Sequence, residues 1–484
     1  MNYSVIKRTL GYLLLFEAVF LLVPLITSIV YWEAEFFTFL ICIALCAGIG
    51  SLFFIKKPKN TAIYAKEGFV IVAMSWIVMS LIGALPFFFS GAVPSYIDAL
   101  FETVSGFTTT GSTILSGEQI DGMAKSLLMW RSFTHWVGGM GVLVLIMALL
   151  PLSGAQNMHL MKAESTGASV SKIVPKVRQT ALILYAIYLA FTILQFILLL
   201  CGNMPVFDAL NTAFATAGTG GFAVRSDGFL AYSPYLQWVT TAFMLIFSIN
   251  FNAYFLILKG KLKDAFSAEI KTFFIIVLSA IVLIVLNLHF TQTDLYTMTL
   301  EEEIRHSAFS VASLISTTGF STVDFNLWPT LSKVILMTII FVGACAGSTG
   351  GGMKVSRIMV LAKGGMHEVG RMIHPKQVKK ITIDGRVVEH EVVRSINAYL
   401  VAFILIYVAS FAIISLDGFD FTTSFTAVAA TINNIGPGLG AVGPTGNFAQ
   451  FSILSKLVFI FDMLAGRLEV FPMLILFSPS TWKK

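Results

Sequence analysis

Long apolar runs alternate with short polar connections along most of this chain. Ten of the runs approach the length of about 20 apolar residues that a helix needs to cross a hydrocarbon core of ~30 Å. They lie at roughly 10–31, 36–55, 69–91, 127–152, 180–201, 235–258, 272–290, 330–361, 397–416 and 450–477. Because backbone amides in lipid must pair within their own segment, the pattern predicts an all-α polytopic membrane protein.

Composition supports a lipid-facing surface. Of the 484 residues, 56% are hydrophobic and 12% are charged, whereas soluble chains carry about 25% charged residues. The four cysteines all lie in apolar stretches without the spacing of a metal or redox site. These observations exclude an ordinary soluble enzyme and make membrane lipid the expected surrounding.

The positions of the charges predict the orientation of the chain. The net charge of +6 arises from 32 Lys and Arg against 26 Asp and Glu, and 25 of the 32 cations lie at the termini or in alternate connections. By the positive-inside rule these connections and both termini are cytoplasmic, so the excess of cations does not indicate a nucleic-acid partner. The opposite side and the spans hold 18 of the 26 acids, which predicts an acidic outer face for an approaching cation.

Four outer connections repeat one pattern. Each has an apolar segment too short to span the membrane, followed by a Thr/Ser/Gly or Asn/Gly cluster. When the four clusters are aligned, one glycine of each occupies the same position, and we call these the register glycines: Gly111, Gly221, Gly319 and Gly436. The repetition predicts pseudo-symmetry. The predicted chain begins with two extra helices in 1–60. Four repeats follow, each made of a span, a re-entrant loop and a second span, in 61–165, 166–265, 266–375 and 376–484.

The repeated clusters favour cation coordination. A single Thr-Thr-Gly is more often a feature of helix packing. Here the cluster occurs four times, and irregular backbone at membrane depth is tolerated only where protein or water surrounds it. Four such loops are therefore expected to surround one axis. Glycine at positive φ lets successive carbonyls point at that axis, and the C-terminal ends of the short helices add negative potential. Hydroxyls of Thr110 and Thr318 are possible additional ligands.

The candidate ion-contacting residues follow from this register. They are Thr109, Thr110, Gly111, Gly220, Gly221, Thr317, Thr318, Gly319, Asn434, Ile435 and Gly436. Two of the loops depart from Thr-Thr-Gly, because Gly220 precedes Gly221 and Asn434-Ile435 precedes Gly436. Less regular ion contacts are expected in those two loops.

A glycine-rich break interrupts the run at 330–361. It contains Gly343, Gly347, Ser348, Thr349, Gly350, Gly351 and Gly352. So many glycines in so short a stretch do not propagate a stable helix, and unwound backbone past the membrane midplane must line a cavity. The alternative is close helix packing through Gly343 and Gly347.

Arg467 lies within the last run, about 24 Å below its outer end at ~1.5 Å per residue. An intramembrane arginine is by default a functional hypothesis. The alternative is a structural role, in which Arg467 pairs with Asp462, Glu469 or backbone carbonyls. Arg131 and His135, near the outer end of the run at 127–152, are interpreted as interfacial or structural.

Three stretches, together with the four repeats, carry a family resemblance. They are Ser-Thr-Thr-Gly-Phe at 316–320, GACAGSTGGGMK from 343 and LAGRLEVF from 464. The chain resembles the Trk/Ktr/HKT superfamily of potassium transporters over nearly its whole length, and the extra spans before residue 60 make it most similar to the bacterial Trk members. The resemblance implies one potassium-selective filter per chain, with potassium, and rubidium in its place, as the ion carried.

The resemblance also implies roles for single residues. A glycine at the turn of each loop accompanies potassium selectivity, whereas some plant relatives carry serine at the first position and favour sodium. The glycine-rich segment would be an intramembrane gate under the filter, and Arg467 would lie in the permeation path.

Partners and location are likewise implied by the resemblance. It implies a homodimer in the bacterial inner membrane, regulated by the cytosolic nucleotide-binding ring protein TrkA. The basic stretch 363–394 is the expected docking surface, although a solvated cytoplasmic loop accounts for it equally well. A secondary carrier for an organic solute is the competing hypothesis, while an enzyme is not predicted, because the chain has no metal spacing, nucleotide loop or paired carboxylates in a polar pocket.

Overall fold

The computed structural model describes residues 1–55, 64–141, 177–291, 298–375 and 380–482, and these are mostly helical. The helices are Tyr3–Phe20, Leu22–Val30, Phe36–Leu52, Ala65–Gly83, Leu85–Phe89, Tyr96–Phe107, Gly117–Asp121, Lys125–Gly139, Val177–Cys201, Val206–Gly218, Pro234–Phe247, Phe251–Leu258, Leu262–Ala265, Ala268–Phe290, Leu300–Ile315, Thr330–Val342, Val355–Ile373, His390–Ile414, Phe421–Ile432, Ile453–Arg467, Phe471–Phe477 and Pro479–Trp482. Within the described residues, strands Thr382–Ile383 and Arg386–Val387 form an antiparallel hairpin. The predicted all-α membrane class is confirmed.

Five of the ten predicted spans are continuous apolar helices of sufficient length. These are Tyr3–Val30, Lys66–Phe89, Gln179–Cys201, Ala268–Phe290 and His390–Asp417. A sixth, Phe36–Leu52, is apolar but has only 17 residues. Part of the run at 127–152 lies outside the described residues. So do ten of the cations used to predict the orientation: Lys56, Lys57, Lys59, Lys162, Lys172, Lys176, Lys376, Lys379, Lys483 and Lys484.

The sequence predicts one continuous helix over 235–258, and this prediction is wrong. The run consists of two helices, Pro234–Phe247 and Phe251–Leu258, that meet at 91°. Asn250 caps the second helix by accepting a hydrogen bond from Asn252 N at 2.9 Å. The backbone groups that the break frees pair with the glycine-rich segment: Cys345 N donates to Ser248 O at 3.1 Å, and Phe251 N donates to Gly347 O at 3.0 Å. The break persists because partners distant in sequence satisfy these groups.

The last apolar run is broken as well. Its first helix ends at Arg467, Glu469 and Val470 follow with φ of 57° and 67°, and a new helix begins at Phe471. The run at 330–361 is interrupted between Val342 and Val355, as the glycines predict. These breaks place irregular backbone in the interior of the helical assembly.

Four short helices form the centre of the structure, and we call them half-helices 1 to 4: Tyr96–Phe107, Val206–Gly218, Leu300–Ile315 and Phe421–Ile432. Each packs against the helix that follows another of the half-helices in the chain. Half-helix 2 contacts Lys125–Gly139, half-helix 3 contacts Pro234–Phe247, and half-helix 4 contacts Thr330–Val342. Half-helix 1 contacts Ile453–Arg467, from the end of the chain. The contacts therefore close into a ring.

Candidate ion filter and gate

Each half-helix ends in a loop, and the four loops leave their helices in one way. We call residues 108–112, 219–222, 316–320 and 433–437 loops 1 to 4. The residue two positions before each register glycine has a left-handed φ: Thr109 56°, Thr219 55°, Thr317 61° and Asn434 54°. The next backbone N–H reaches back into its helix: Thr110 N to Ser105 O 2.9 Å, Gly220 N to Ala215 O 2.9 Å, Thr318 N to Ser313 O 2.8 Å, and Ile435 N to Ala430 O 2.8 Å. This is the hydrogen bond of a Schellman-type helix end.

The register glycines touch one another's loops in a closed order. A Cβ built on Gly111 would lie 1.9 Å from Gly220 O in loop 2, and one on Gly221 would lie 1.9 Å from Thr318 O in loop 3. A Cβ on Gly319 would lie 3.0 Å from Gly436 N in loop 4, and one on Gly436 would lie 2.9 Å from Gly111 O in loop 1. The structure therefore brings all four loops together around one axis, with no room for side chains at these points.

Loop 4 departs from the other three in its backbone. Gly111, Gly221 and Gly319 have φ of 81°, 76° and 88°, whereas Gly436 lies outside the left-handed region. The expected positive φ is thus absent at Gly436, where close approach to loop 1 is what requires glycine. Side chains tie the two loops together, because Asn434 Nδ2 donates to Thr110 Oγ1 at 2.9 Å and Ser112 Oγ donates to Gly436 O at 3.1 Å.

Most loop hydroxyls are engaged with neighbouring groups. Thr108 Oγ1 and Thr110 Oγ1 lie 2.7 Å apart, and Ser316 Oγ and Thr318 Oγ1 lie 2.6 Å apart. Thr317 Oγ1 accepts a hydrogen bond from Gly351 N at 2.6 Å. Backbone carbonyls are therefore the better candidate ligands than the hydroxyls of Thr110 and Thr318.

An outer cavity of about 240 Å³ opens onto the ring, and all four register glycines line it. Its rim is tied across repeats, since Ser226 N and Oγ donate to the Asp121 carboxylate at 2.9 and 2.5 Å. These two hydrogen bonds hold the pKa of Asp121 below its usual range. An ion in this cavity would lie next to the register glycines.

Five of the acids assigned to the outer side are engaged with partners. They are Asp98 with Lys456 at 2.7 Å, Glu102 with Arg131 at 2.7 Å, Asp208 with Tyr232 at 2.8 Å, Glu301 with Arg305 at 3.0 Å, and Glu303 with His289 at 3.2 Å. Three of these partners are Arg or Lys, and such ion pairs reduce the negative charge in a way that a count of acids along the sequence cannot reveal.

Glu102 and Arg131 form a buried ion pair that holds the backbone just after loops 1 and 2, and the sequence analysis did not identify this pairing. Both are at most 2% exposed. Glu102 Oε2 accepts a hydrogen bond from Ile114 N at 3.1 Å, while Arg131 Nη1 donates to Ala223 O at 3.2 Å. The guanidinium carbon of Arg131 also lies 3.9 Å from the ring centroid of Phe222. A signal was available, because an acid and a base within apolar helical segments are expected to pair.

His135 joins half-helix 1 to loop 2. Its Nδ1 lies 2.8 Å from Gly106 O, and its Nε2 accepts a hydrogen bond from Phe222 N at 3.3 Å. Both contacts are satisfied by the neutral ring with the proton on Nδ1. His135 is fully buried, so its position is internal to the protein and not interfacial.

The glycine-rich segment 343–354, which we call the gate segment, lies on the opposite side of the ring from the outer cavity. A Cβ on Gly350 would be 2.8 Å from Ser316 O, and one on Gly351 would be 2.6 Å from Asn433 O. Its apex therefore packs directly against loops 3 and 4. Gly343 and Gly347 have φ of 71° and 72° and lie outside any helix, so packing of two helices through them does not explain these glycines.

Arg467 connects the gate segment to the first repeat. It is 8% exposed. Its Nη1 donates to Thr349 O at 2.9 Å, and its Nη2 donates to Gly138 O at 2.5 Å and to Gly139 O at 2.9 Å. The two acids considered as partners are engaged elsewhere, Asp462 with Ser410 Oγ at 2.8 Å and Glu469 with Arg357 at 2.5 Å. The structure thus places Arg467 against backbone carbonyls, including one of the gate segment.

Comparisons with known proteins agree with this architecture. The family model TrkH, described as cation transport protein, matches residues 33–484. The chain is 34% identical to the Trk system potassium uptake protein TrkH of Salmonella typhimurium over 100% of both chains, and 31% identical to the Escherichia coli K12 protein TrkG over 99% of this chain and 98% of that one. The crystal structure of the potassium transporter TrkH from Vibrio parahaemolyticus is similar with a TM-score of 0.88 and 32% identity, covering 100% of both chains. The chain therefore belongs to the TrkH family of cation transport proteins.

Proposed function

We propose that this protein carries potassium into bacteria across the inner membrane, through one pore in each chain. The observation that carries the proposal is the closed ring of loops 1 to 4, in which each register glycine meets the backbone of the next loop. The relatives named above as potassium uptake proteins support the choice of ion.

The proposed filter is built from backbone carbonyls. Its residues are Thr109, Thr110, Gly111, Gly220, Gly221, Thr317, Thr318, Gly319, Asn434, Ile435 and Gly436. Carbonyl oxygens around an axis can replace the hydration shell of a cation. The four half-helices end at the loops, so their C-terminal partial charges add to the attraction. An anion would be repelled by the same groups.

The proposed gate consists of Gly343, Gly347, Ser348, Thr349, Gly350, Gly351 and Gly352 together with Arg467. The contact of Gly351 N with Thr317 Oγ1 supports a closed position directly under the filter. The bond from Arg467 to Thr349 O supports a latch that keeps the segment there. A flexible segment with a fixed anchor is the arrangement expected of a gate.

Orientation and partners belong to the same proposal. The concentration of 25 of 32 cations in alternate connections and at the termini supports cytoplasmic termini. A homodimer that docks the cytosolic nucleotide-binding regulator TrkA through the basic stretch 363–394 follows from the family resemblance. The repeat units at 61–165, 166–265, 266–375 and 376–484, preceded by 1–60, are proposed on the common geometry of the four loop ends.

A secondary carrier for an organic solute is the less favoured function. The relatives are named as potassium uptake proteins, which points to a transporter of ions and away from an enzyme. At the register glycines the loops meet through backbone atoms, with no room for side chains that would contact an organic solute.

Purified protein in proteoliposomes is expected to take up rubidium, which has nearly the size and charge of potassium. External potassium should suppress the uptake strongly and sodium weakly, because the carbonyl ring discriminates between them. Amino acids and sugars should have no effect, and protein-free liposomes provide the control. Uptake of an organic solute in place of rubidium would contradict the proposed function.

A further inference from the structure

Both ends of the gate segment meet at one carboxylate oxygen. Glu269 Oε1 accepts hydrogen bonds from Ala346 N at 2.7 Å and from Ser356 N at 3.1 Å. Ala346 lies near the beginning of the segment, and Ser356 follows its end. A single oxygen atom therefore closes the segment into a loop at its base.

The closure at the base determines where the apex of the segment lies. Val355 N donates to Ala344 O at 3.1 Å and forms a second link between the two ends. Between these links the chain rises to Gly350 and Gly351, which pack against loops 3 and 4. Because the segment is rich in glycine, its own backbone does not hold this shape, and the links at the base must do so.

The Glu269 side chain is held in place by the element that carries it. It belongs to the first turn of the helix Ala268–Phe290, whose N-cap Ser267 accepts from Ile270 N at 3.4 Å. Asp384, at the turn of the cytoplasmic hairpin, accepts a hydrogen bond from Ala268 N at 2.8 Å. This helix end is thus fixed from two sides. The Glu269 carboxylate is therefore positioned by contacts that do not involve the gate segment.

We propose that Glu269 is the positioning residue of the gate, acting as a clasp that keeps both ends of the gate segment together and its apex under the filter. The proposal rests on the proposed function, because it assigns Glu269 to the gating of that pore. Charge-assisted hydrogen bonds to backbone N–H groups are about twice as strong as neutral ones. Without them the glycine-rich segment is expected to leave its closed position more often.

A native cysteine reports the position of the gate segment directly. Cys345 belongs to the segment and is fully buried in the closed position. Cys201 is exposed, so the experiment uses full-length protein with Cys201→Ser as the parent. The rate at which a small charged methanethiosulfonate reagent modifies Cys345, identified by mass spectrometry of its peptide, measures how often the segment opens.

Glu269→Ala and Glu269→Gln form the matched pair of variants. Both remove the same negative charge, so any effect of that charge on the reactivity of the thiol is common to them. Glutamine keeps a side-chain oxygen that can accept both N–H groups, whereas alanine keeps none. Modification of Cys345 is expected to be about tenfold faster in the alanine variant than in the glutamine variant, as follows from losing about 1.4 kcal/mol of closure.

Equal rates in the two variants would overturn the clasp. If the alanine variant loses its cooperative thermal transition, Glu269→Asp takes its place and is compared with the parent, which carries the same charge. The carboxylate of aspartate is one methylene too short to reach both N–H groups, so equal rates for Glu269→Asp and the parent would then overturn the proposal. The modification assay needs no transport. An absence of rubidium uptake by the parent would therefore contradict the proposed function, whereas equal modification rates would contradict only the role of Glu269.

Discussion

Replacing Gly111 by serine is expected to reduce the preference for potassium over sodium by about tenfold or more, the effect of roughly 1.4 kcal/mol in a barrier. Gly111 has φ of 81°, and a Cβ there would lie 1.9 Å from Gly220 O. A left-handed backbone costs a side chain roughly 1–2 kcal/mol, and the contact with Gly220 O forces loop 2 to move. Displaced carbonyls no longer match the size of potassium. The measurement is inhibition of rubidium uptake by sodium, compared with inhibition by potassium.

Gly91→Ser provides the matched control. Gly91 has φ of 74°, close to that of Gly111, but a Cβ there meets no atom within 4 Å. The control therefore carries the backbone strain without the contact between loops. We expect it to keep the selectivity of the parent. If Gly111→Ser folds and also keeps that selectivity, loop 1 does not belong to the filter.

Replacing Arg467 by alanine is expected to raise rubidium flux about tenfold without changing selectivity. The guanidinium donates to Thr349 O of the gate segment and to Gly138 O and Gly139 O of the first repeat. Hydrogen bonds to a charged group contribute about 1.5–3 kcal/mol each, and losing one such bond to the gate shifts its equilibrium about tenfold or more. In the proposed filter the carbonyls of loops 1 to 4 set the selectivity, so it should persist.

Arg467→Lys separates the latch from the charge. Lysine keeps the positive charge but lacks the planar fork that reaches several carbonyls at once. If the latch is what restrains the gate, the lysine variant should have a flux between those of the parent and the alanine variant. Loss of thermal stability in the alanine variant, without any rise in flux, would show that Arg467 acts only in packing the protein.

Much of the fold could be predicted from the sequence, because a membrane restricts the secondary structures that an apolar segment can adopt. Apolar runs in lipid must be helices, so the class follows from the pattern of residues, and it is confirmed. The 91° break after Phe247 could not be foreseen in this way, since neither glycine nor proline occurs there. It is held by Ser248 and Phe251, which bond to residues of the gate segment almost 100 positions away.

The positions in the candidate site that require glycine could be predicted from the sequence, whereas the hydrogen-bond and ion-pair partners of its charged residues could not. The register glycines can be recognised because their pattern is repeated four times, and the structure brings their loops together. The partners of Arg467 could not be chosen from the sequence, because Asp462, Glu469 and backbone carbonyls were all plausible. The pairing of Glu102 with Arg131 and the contacts of Glu269 were missed for a related reason, since they join segments that are separated in the chain.

The central claim, that four loops form one filter around a single axis, is tested most directly by locating the ion. A crystal structure of the protein with rubidium in place of potassium, measured at the rubidium absorption edge, would reveal bound ions by their anomalous signal. The account predicts a peak on the axis enclosed by Gly111, Gly221, Gly319 and Gly436, with backbone carbonyls of all four loops around it. Rubidium bound elsewhere in the protein, with no peak inside this ring, would contradict it.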